Sequence, residues 1–135
     1  MWEITVDATT DNLTEVLAFT EEVIEELGCP MKAQMQITVA VEEIFVNIAN
    51  YAYGDETGEA TVRIDRTEEK EGVAVVFTDG GMPFDPLEKA DPDVSLPADE
   101  RQIGGLGIYM VKKSMDDIRY RYIDGKNELT LVKYF

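Results

Sequence analysis

Glu43 and Asn47 stand four residues apart in the stretch Val41-Glu42-Glu43-Ile44-Phe45-Val46-Asn47-Ile48-Ala49-Asn50-Tyr51-Ala52-Tyr53, whose apolar period is helical. At about 100° per residue the two side chains project about 40° apart, at the edge of a stripe made by Ile37, Val41, Ile44 and Ile48. A carboxylate and an amide held side by side on a rigid element suit the placement of a metal ion and a nucleophile. A solvated helix edge presents the same pair, so the pair needs company before it means chemistry. Two glycine-rich stretches supply it. Asp79-Gly80-Gly81 ends a strand-like run, and Gly104-Gly105-Leu106-Gly107 opens a helix-like one. At the second, backbone can approach an anionic ligand closely and helix N-terminal amides point at it, which favours phosphate; a hinge is the other reading. The spacing lacks the Gly-Lys-Ser/Thr ending of a P-loop and does not open a βαβ unit as a dinucleotide fingerprint should.

The elements that must position these residues are legible from periodicity. Trp2-Glu3-Ile4-Thr5-Val6-Asp7 alternates as a half-buried strand. From an N-cap at Thr10 or Asp11, Leu13, Val16, Leu17, Val23, Ile24 and Leu27 recur at helical spacing until Gly28, with Pro30 beyond. A second helix starts near Pro30 or Met31 and runs through Glu43 and Asn47 to Gly54. Ala60, Val62 and Ile64 alternate with polar residues, and after a turn at 68–72 a second run at 73–78 makes an antiparallel hairpin that delivers Asp79 at its end. The segment 84–103 loses periodicity, is acidic and carries Pro86, Pro92 and Pro97, which reads as a lid over a site. Ile108, Val111 and Met115 mark a short helix. Two strands joined by Asp124-Gly125 close the chain. The order predicts one α+β domain over residues 1–135, a two-layer sandwich with helices on one face of a mostly antiparallel, mixed sheet.

Composition removes whole classes of chemistry. The chain has no histidine, which excludes a Ser/His/Asp triad, a Cys/His pair and a phosphohistidine on this chain, and disfavours most zinc sites. One cysteine, Cys29, allows no internal disulfide and agrees with a reducing compartment. With 28 acidic against 12 basic residues and a net charge of -16, no basic stripe is evident, which argues against direct contact with nucleic acid. A basic protein partner, or a nucleotide carried in with Mg²⁺, is electrostatically acceptable, and the acidity also serves solubility. No apolar run approaches the roughly 20 residues that span a bilayer, and Met1 leads straight into a strand-like segment, so the expectation is a cytoplasmic protein with no membrane partner.

Taken together, Glu43-Ile44-Phe45-Val46-Asn47, Asp79-Gly80-Gly81-Met82-Pro83-Phe84-Asp85 and Gly104-Gly105-Leu106-Gly107-Ile108 resemble the helix motif and the two glycine boxes of the ATP-binding (Bergerat-type) fold shared by gyrase, histidine kinases and MutL. The likeness is greatest to its small serine-kinase branch, the bacterial anti-sigma factor kinases. It implies ATP and Mg²⁺ as ligands, Asn47 as the Mg²⁺ ligand, and Glu43 as general base. It further implies Asp79 as acceptor for the adenine amine, Gly81 leaving room for the base, and Gly104, Gly105 and Gly107 lining the phosphates. Thr130, in the last strand, matches the threonine that supports adenine recognition from beside the aspartate. The chemistry agrees: a fixed carboxylate separates adenine, which donates at its exocyclic amine, from guanine, which accepts there. Without a Walker lysine, positive charge for the transferring phosphoryl falls to Mg²⁺, helix amides and Arg101, Lys112 or Lys113, of which Arg101 is placed best. The family histidine that follows the helix asparagine is missing, and Pro83 replaces a second glycine, as is common in the short serine-kinase branch.

The resemblance implies a Mg²⁺-ATP-dependent serine-protein kinase that phosphorylates a serine of a small anti-sigma antagonist protein and sequesters a sigma factor, with a homodimer by analogy. The alternative is a nucleotide-dependent partner-switching module without turnover. Glu43 favours the enzyme, because a module that only binds has less need of a base beside Asn47.

Overall fold

The computed structural model of the protein describes residues 1–68, 70–88 and 106–135. Strand β1 (Trp2–Asp7) turns Ile4 and Val6 inward. A single 3-10 turn, Thr10–Asn12, precedes helix α1 (Leu13–Glu26), so the helix proper starts later than the expected cap at Thr10 or Asp11. The reason is local: Asn12 Nδ2 donates back to Asp7 O at 2.9 Å, so this side chain closes the end of β1 instead of the first turn of α1. At the other end Gly28 takes φ +78°, and the amides of Gly28 and Cys29 donate to the carbonyls of Glu25 and Ile24 at 3.0 and 3.1 Å. This paired closure needs a left-handed residue, which glycine adopts without a Cβ clash.

Pro30, extended at φ -61° and ψ 150°, starts helix α2 (Met31–Tyr51), whose 21 residues span about 30 Å. It stops at Tyr51, short of the expected Gly54, which adopts φ +60° in the turn beyond. The sheet follows with β2 (Glu59–Arg66) and β3 (Gly72–Asp79), then helix α3 (Leu106–Ser114), β4 (Asp117–Ile123) and β5 (Lys126–Tyr134). Asp124 and Gly125 both take positive φ, 54° and 76°, the mirror-image turn that matches strand twist in a two-residue hairpin.

Spatial strand order is β1-β2-β3-β5-β4. All four pairings are antiparallel, so the mixed character expected for the sheet is absent among the described residues. The topology explains this. The crossover through α3 leaves β4 pointing the same way as β3, but β5 inserts between them and removes the one parallel contact.

The three helices cover one face. Phe45, Val41, Ile37 and Ile24 from the helices meet Val62, Ile64, Val75, Phe77 and Leu131 from the sheet, all almost fully buried. Each such side chain contributes about 1.5–3 kcal/mol by leaving water. The opposite face is polar, with Thr5 and Thr61 sharing a hydroxyl hydrogen bond at 2.9 Å and Arg121 paired with Glu128 at 2.7 Å. Alternation along β3 and β5 therefore decides which residues can reach the helices. At one end of the sheet, where β3 finishes and β5 begins, Asp79 pairs with Asn127, and the chain just past Asp79 meets the end of α2 through a bond from Met82 N to Ala52 O at 2.8 Å.

Candidate functional site

Helix α2 carries Glu43 and Asn47 inward from its edge, and both are half-buried. The Glu43 carboxylate lies against Gly107 in the first turn of α3, where a β-carbon would collide with Oε2. Gly107 is therefore a glycine of close approach, and the positive end of α3 stands where the carboxylate's charge is favoured. This placement is not that of a solvated helix edge. Asn47 donates Nδ2 to the carbonyl of Glu43 at 2.7 Å, one turn back. Tied down by its nitrogen, the amide has no described partner for Oδ1, the atom a hard cation takes.

Asp79 closes β3 on the helix-facing side and is 6% exposed. Its Oδ1 accepts from Gly81 N at 2.9 Å and from Asn127 Nδ2 at 3.0 Å. Both bonds fall on one oxygen, so Oδ2 is left for a ligand. Tyr53 fixes the next residue, accepting from Gly80 N at 2.8 Å while donating to Glu59 O at 2.5 Å. Burial pushes the Tyr53 hydroxyl above its usual range, although the Gly80 amide pulls it down, so it remains a donor at neutral pH. Gly81 is a second glycine of close approach. The space that a β-carbon would take there is filled by the carbonyl of Ala52, so the glycine lets the chain just past Asp79 lie against the end of α2.

A narrow, mainly apolar cleft runs between these groups, walled by Ile44, Ile48, Phe77, Phe84 and Leu129, with Asn47 and Asp79 on it. Phe84 lies against Tyr51 with ring centroids 6.1 Å apart. An apolar cleft with a carboxylate and a side-chain amide on it presents one anionic and one neutral oxygen acceptor to a ligand.

Thr130 is not part of this site. In β5 it pairs with Val76 and Arg119, on the solvent face of the sheet, whereas Asp79 and Asn127 lie on the helix face. The period of two along β5 makes the two positions incompatible. The residue beside Asp79 is Asn127, which the sequence reading passed over. The signal was there: Asn127 shares parity with Leu129 and Leu131, so a polar side chain was being sent inward. Lys113 lies over the Tyr109 ring on its own helix, 5.4 Å from the centroid. Arg101, Gly104, Gly105 and the lid residues 89–103 lie outside the described residues. Of the lid, residues 84–88 are described, and they include a short turn at Pro86–Glu88. No described helix is long and apolar enough to cross a membrane.

Known proteins share this arrangement of elements. The profile of a family described as histidine kinase-like ATPase domain matches residues 6–133. The serine-protein kinase RsbW of Listeria monocytogenes is 33% identical over 112 residues, covering 79% of this chain and 69% of that protein. The serine/threonine-protein kinase BtrW of Bordetella bronchiseptica is 25% identical over 132 residues, covering 98% and 91%. Among solved structures, the RsbU and RsbW domains of a Mycobacterium tuberculosis protein superpose with a TM-score of 0.62 at 15% identity, a likeness of fold; the match covers 99% of this chain and 32% of that one. With residues 6–133 matching that family and sequence relatives named as serine kinases, this chain belongs to the histidine kinase-like ATPase domains, in their anti-sigma factor kinase branch.

Proposed function

We propose that this protein is an ATP-dependent serine-protein kinase acting on a small anti-sigma antagonist, and that in a second complex it sequesters a sigma factor. The observation that carries the reading is that Asp79, with Oδ2 left for a ligand, and Asn47 line one cleft, while Glu43 stands one turn before Asn47 on α2, against Gly107. Asp79 Oδ2 accepts from the exocyclic amine of adenine. Asn47 offers Oδ1 to Mg²⁺, and the donor set fits, since Mg²⁺ takes one or two protein oxygens beside phosphates and water. When bound, Mg²⁺ neutralises charge on the phosphates. Glu43, held at Gly107, takes the proton from the attacking serine hydroxyl. The relatives named as serine kinases support this reading, as does the lack of any histidine that this chain could phosphorylate on itself. A homodimer and a cytoplasmic location belong to the same proposal.

The test uses the purified chain with labelled ATP, Mg²⁺ and candidate antagonists encoded near its own gene. At about 100 times Kd, Mg²⁺-ATP should stabilise the fold by roughly 2.7 kcal/mol, a melting shift of roughly 10 °C, and GTP much less. Label should appear on a serine of one antagonist. Equal shifts with GTP remove Asp79 from its role. Tight ATP binding without transfer to any antagonist leaves the non-catalytic partner-switching module in place of the kinase.

A further inference from the structure

Asn127 is one of three buried polar residues among those described, 6% exposed, and its amide has no capacity left over. Nδ2 donates to Asp79 Oδ1 at 3.0 Å and to the carbonyl of Met82 at 2.8 Å. Oδ1 accepts from Phe84 N at 3.1 Å and from the Tyr120 hydroxyl. Two donors and two lone pairs are thus spent on β3, on the strap at 82–84 and on β4. Phe84 walls the cleft and Asp79 ends it, so one side chain holds the wall and the acceptor in register.

We propose that Asn127 is the positioning residue that sets nucleobase specificity, by locking the Asp79 carboxylate and the Met82–Phe84 strap into one rigid unit. This rests on the proposed ATP site and goes beyond it. Asn127 lines the cleft, but its saturated amide has no hydrogen bond left to offer the base. It acts through Asp79, whose Oδ1 it occupies so that Oδ2 alone is presented, and through Phe84, whose amide it holds. A carboxylate fixed in this way is pre-organised for an amine donor and leaves a keto oxygen, as in guanine, facing negative charge.

The decisive variant is Asn127→Asp, equal in size but with an acceptor where the donor to Asp79 was. Ionised, it sets two carboxylates against each other; sharing one proton, it donates to Asp79 again. ATP affinity of Asn127→Asp should therefore fall roughly tenfold to a hundredfold at about pH 8 and recover toward wild type at about pH 5. The other titratable groups facing this point are Tyr120 from β4, Tyr53 beyond α2 and Asp85 just after the strap, and wild type in the same pH series corrects for them. Wild-type affinity at both pH values, or a loss with no recovery in acid, overturns the proposal. If Asn127→Asp does not fold at the alkaline end, Asn127→Leu gives the reading without charge: the ATP-over-GTP preference of wild type should collapse, and a retained preference overturns the proposal. A wild type that binds no ATP sinks the proposed function as well, and so separates that failure from this one.

Discussion

Glu43 accepts from Asn47 through its carbonyl and lies against Gly107 through its carboxylate, and substitutions at the three test the proposed base and cation roles separately. Glu43→Gln keeps size and shape but not basicity, so nucleotide affinity should stay near wild type while phosphoryl transfer falls by roughly 10² to 10⁴. Single-turnover transfer alongside a binding isotherm separates the two. Transfer at the wild-type rate would reduce Glu43 to a packing residue. Asn47→Ala removes the oxygen proposed to hold the cation, so affinity for Mg²⁺-ATP and activity should drop together. Gly107→Ala adds a methyl where the Glu43 carboxylate lies, and the carboxylate must move. Its kinetics should therefore copy Glu43→Gln while the fold loses about 1–3 kcal/mol from overpacking. Normal turnover in the Gly107→Ala variant would show that Glu43 needs no fixed place.

At the scale of elements, two tyrosines clasp the strand ends that build the site. Tyr53 joins Gly80 to Glu59, and Tyr120 reaches from β4 to Asn127. Burial, first among the causes, raises both hydroxyls above 10.0. The folded state then holds protons that the unfolded chain releases, so this contribution to stability is complete below pH 10.0 and is lost as pH rises through the folded values. The buried Cys29 thiol, raised from 9.0, acts with the same sign. Urea midpoints taken between about pH 9 and pH 11 should fall, and Tyr120→Phe should flatten the fall. An unchanged slope in that variant would mean that its hydroxyl is not held in the folded state. The same scale explains Thr130: a residue moved three places along β5 changes face, and a pairing of strands distant in the chain decides which residue stands opposite Asp79.

Over the whole molecule, site and core share walls. Ile44 and Phe77 line the cleft on one side and pack into the helix–sheet interface on the other. Phe45, fully buried and off the cleft, tests the core alone: Phe45→Ala should cost about 3–5 kcal/mol in urea unfolding, and a cost under about 1 kcal/mol would contradict the packing of α2 on the sheet. What the sequence by itself determined was everything carried by a local period or a turn. The alternation of β1 to β5, the stripe of α2, Gly28 closing α1, the Asp124-Gly125 hairpin and the i,i+4 neighbourhood of Glu43 and Asn47 all follow from repeats within a few residues of each other. Motif order added the family. What only the tertiary structure decided were contacts between residues far apart in the chain: Asn127 at Asp79 instead of Thr130, Gly81 against the carbonyl of Ala52, Gly107 against Glu43, and β5 inserted between β3 and β4. Those depend on register and on where helix ends dock against the sheet, and a period of two or of 3.6 is silent about which distant strand, or which helix end, lies alongside.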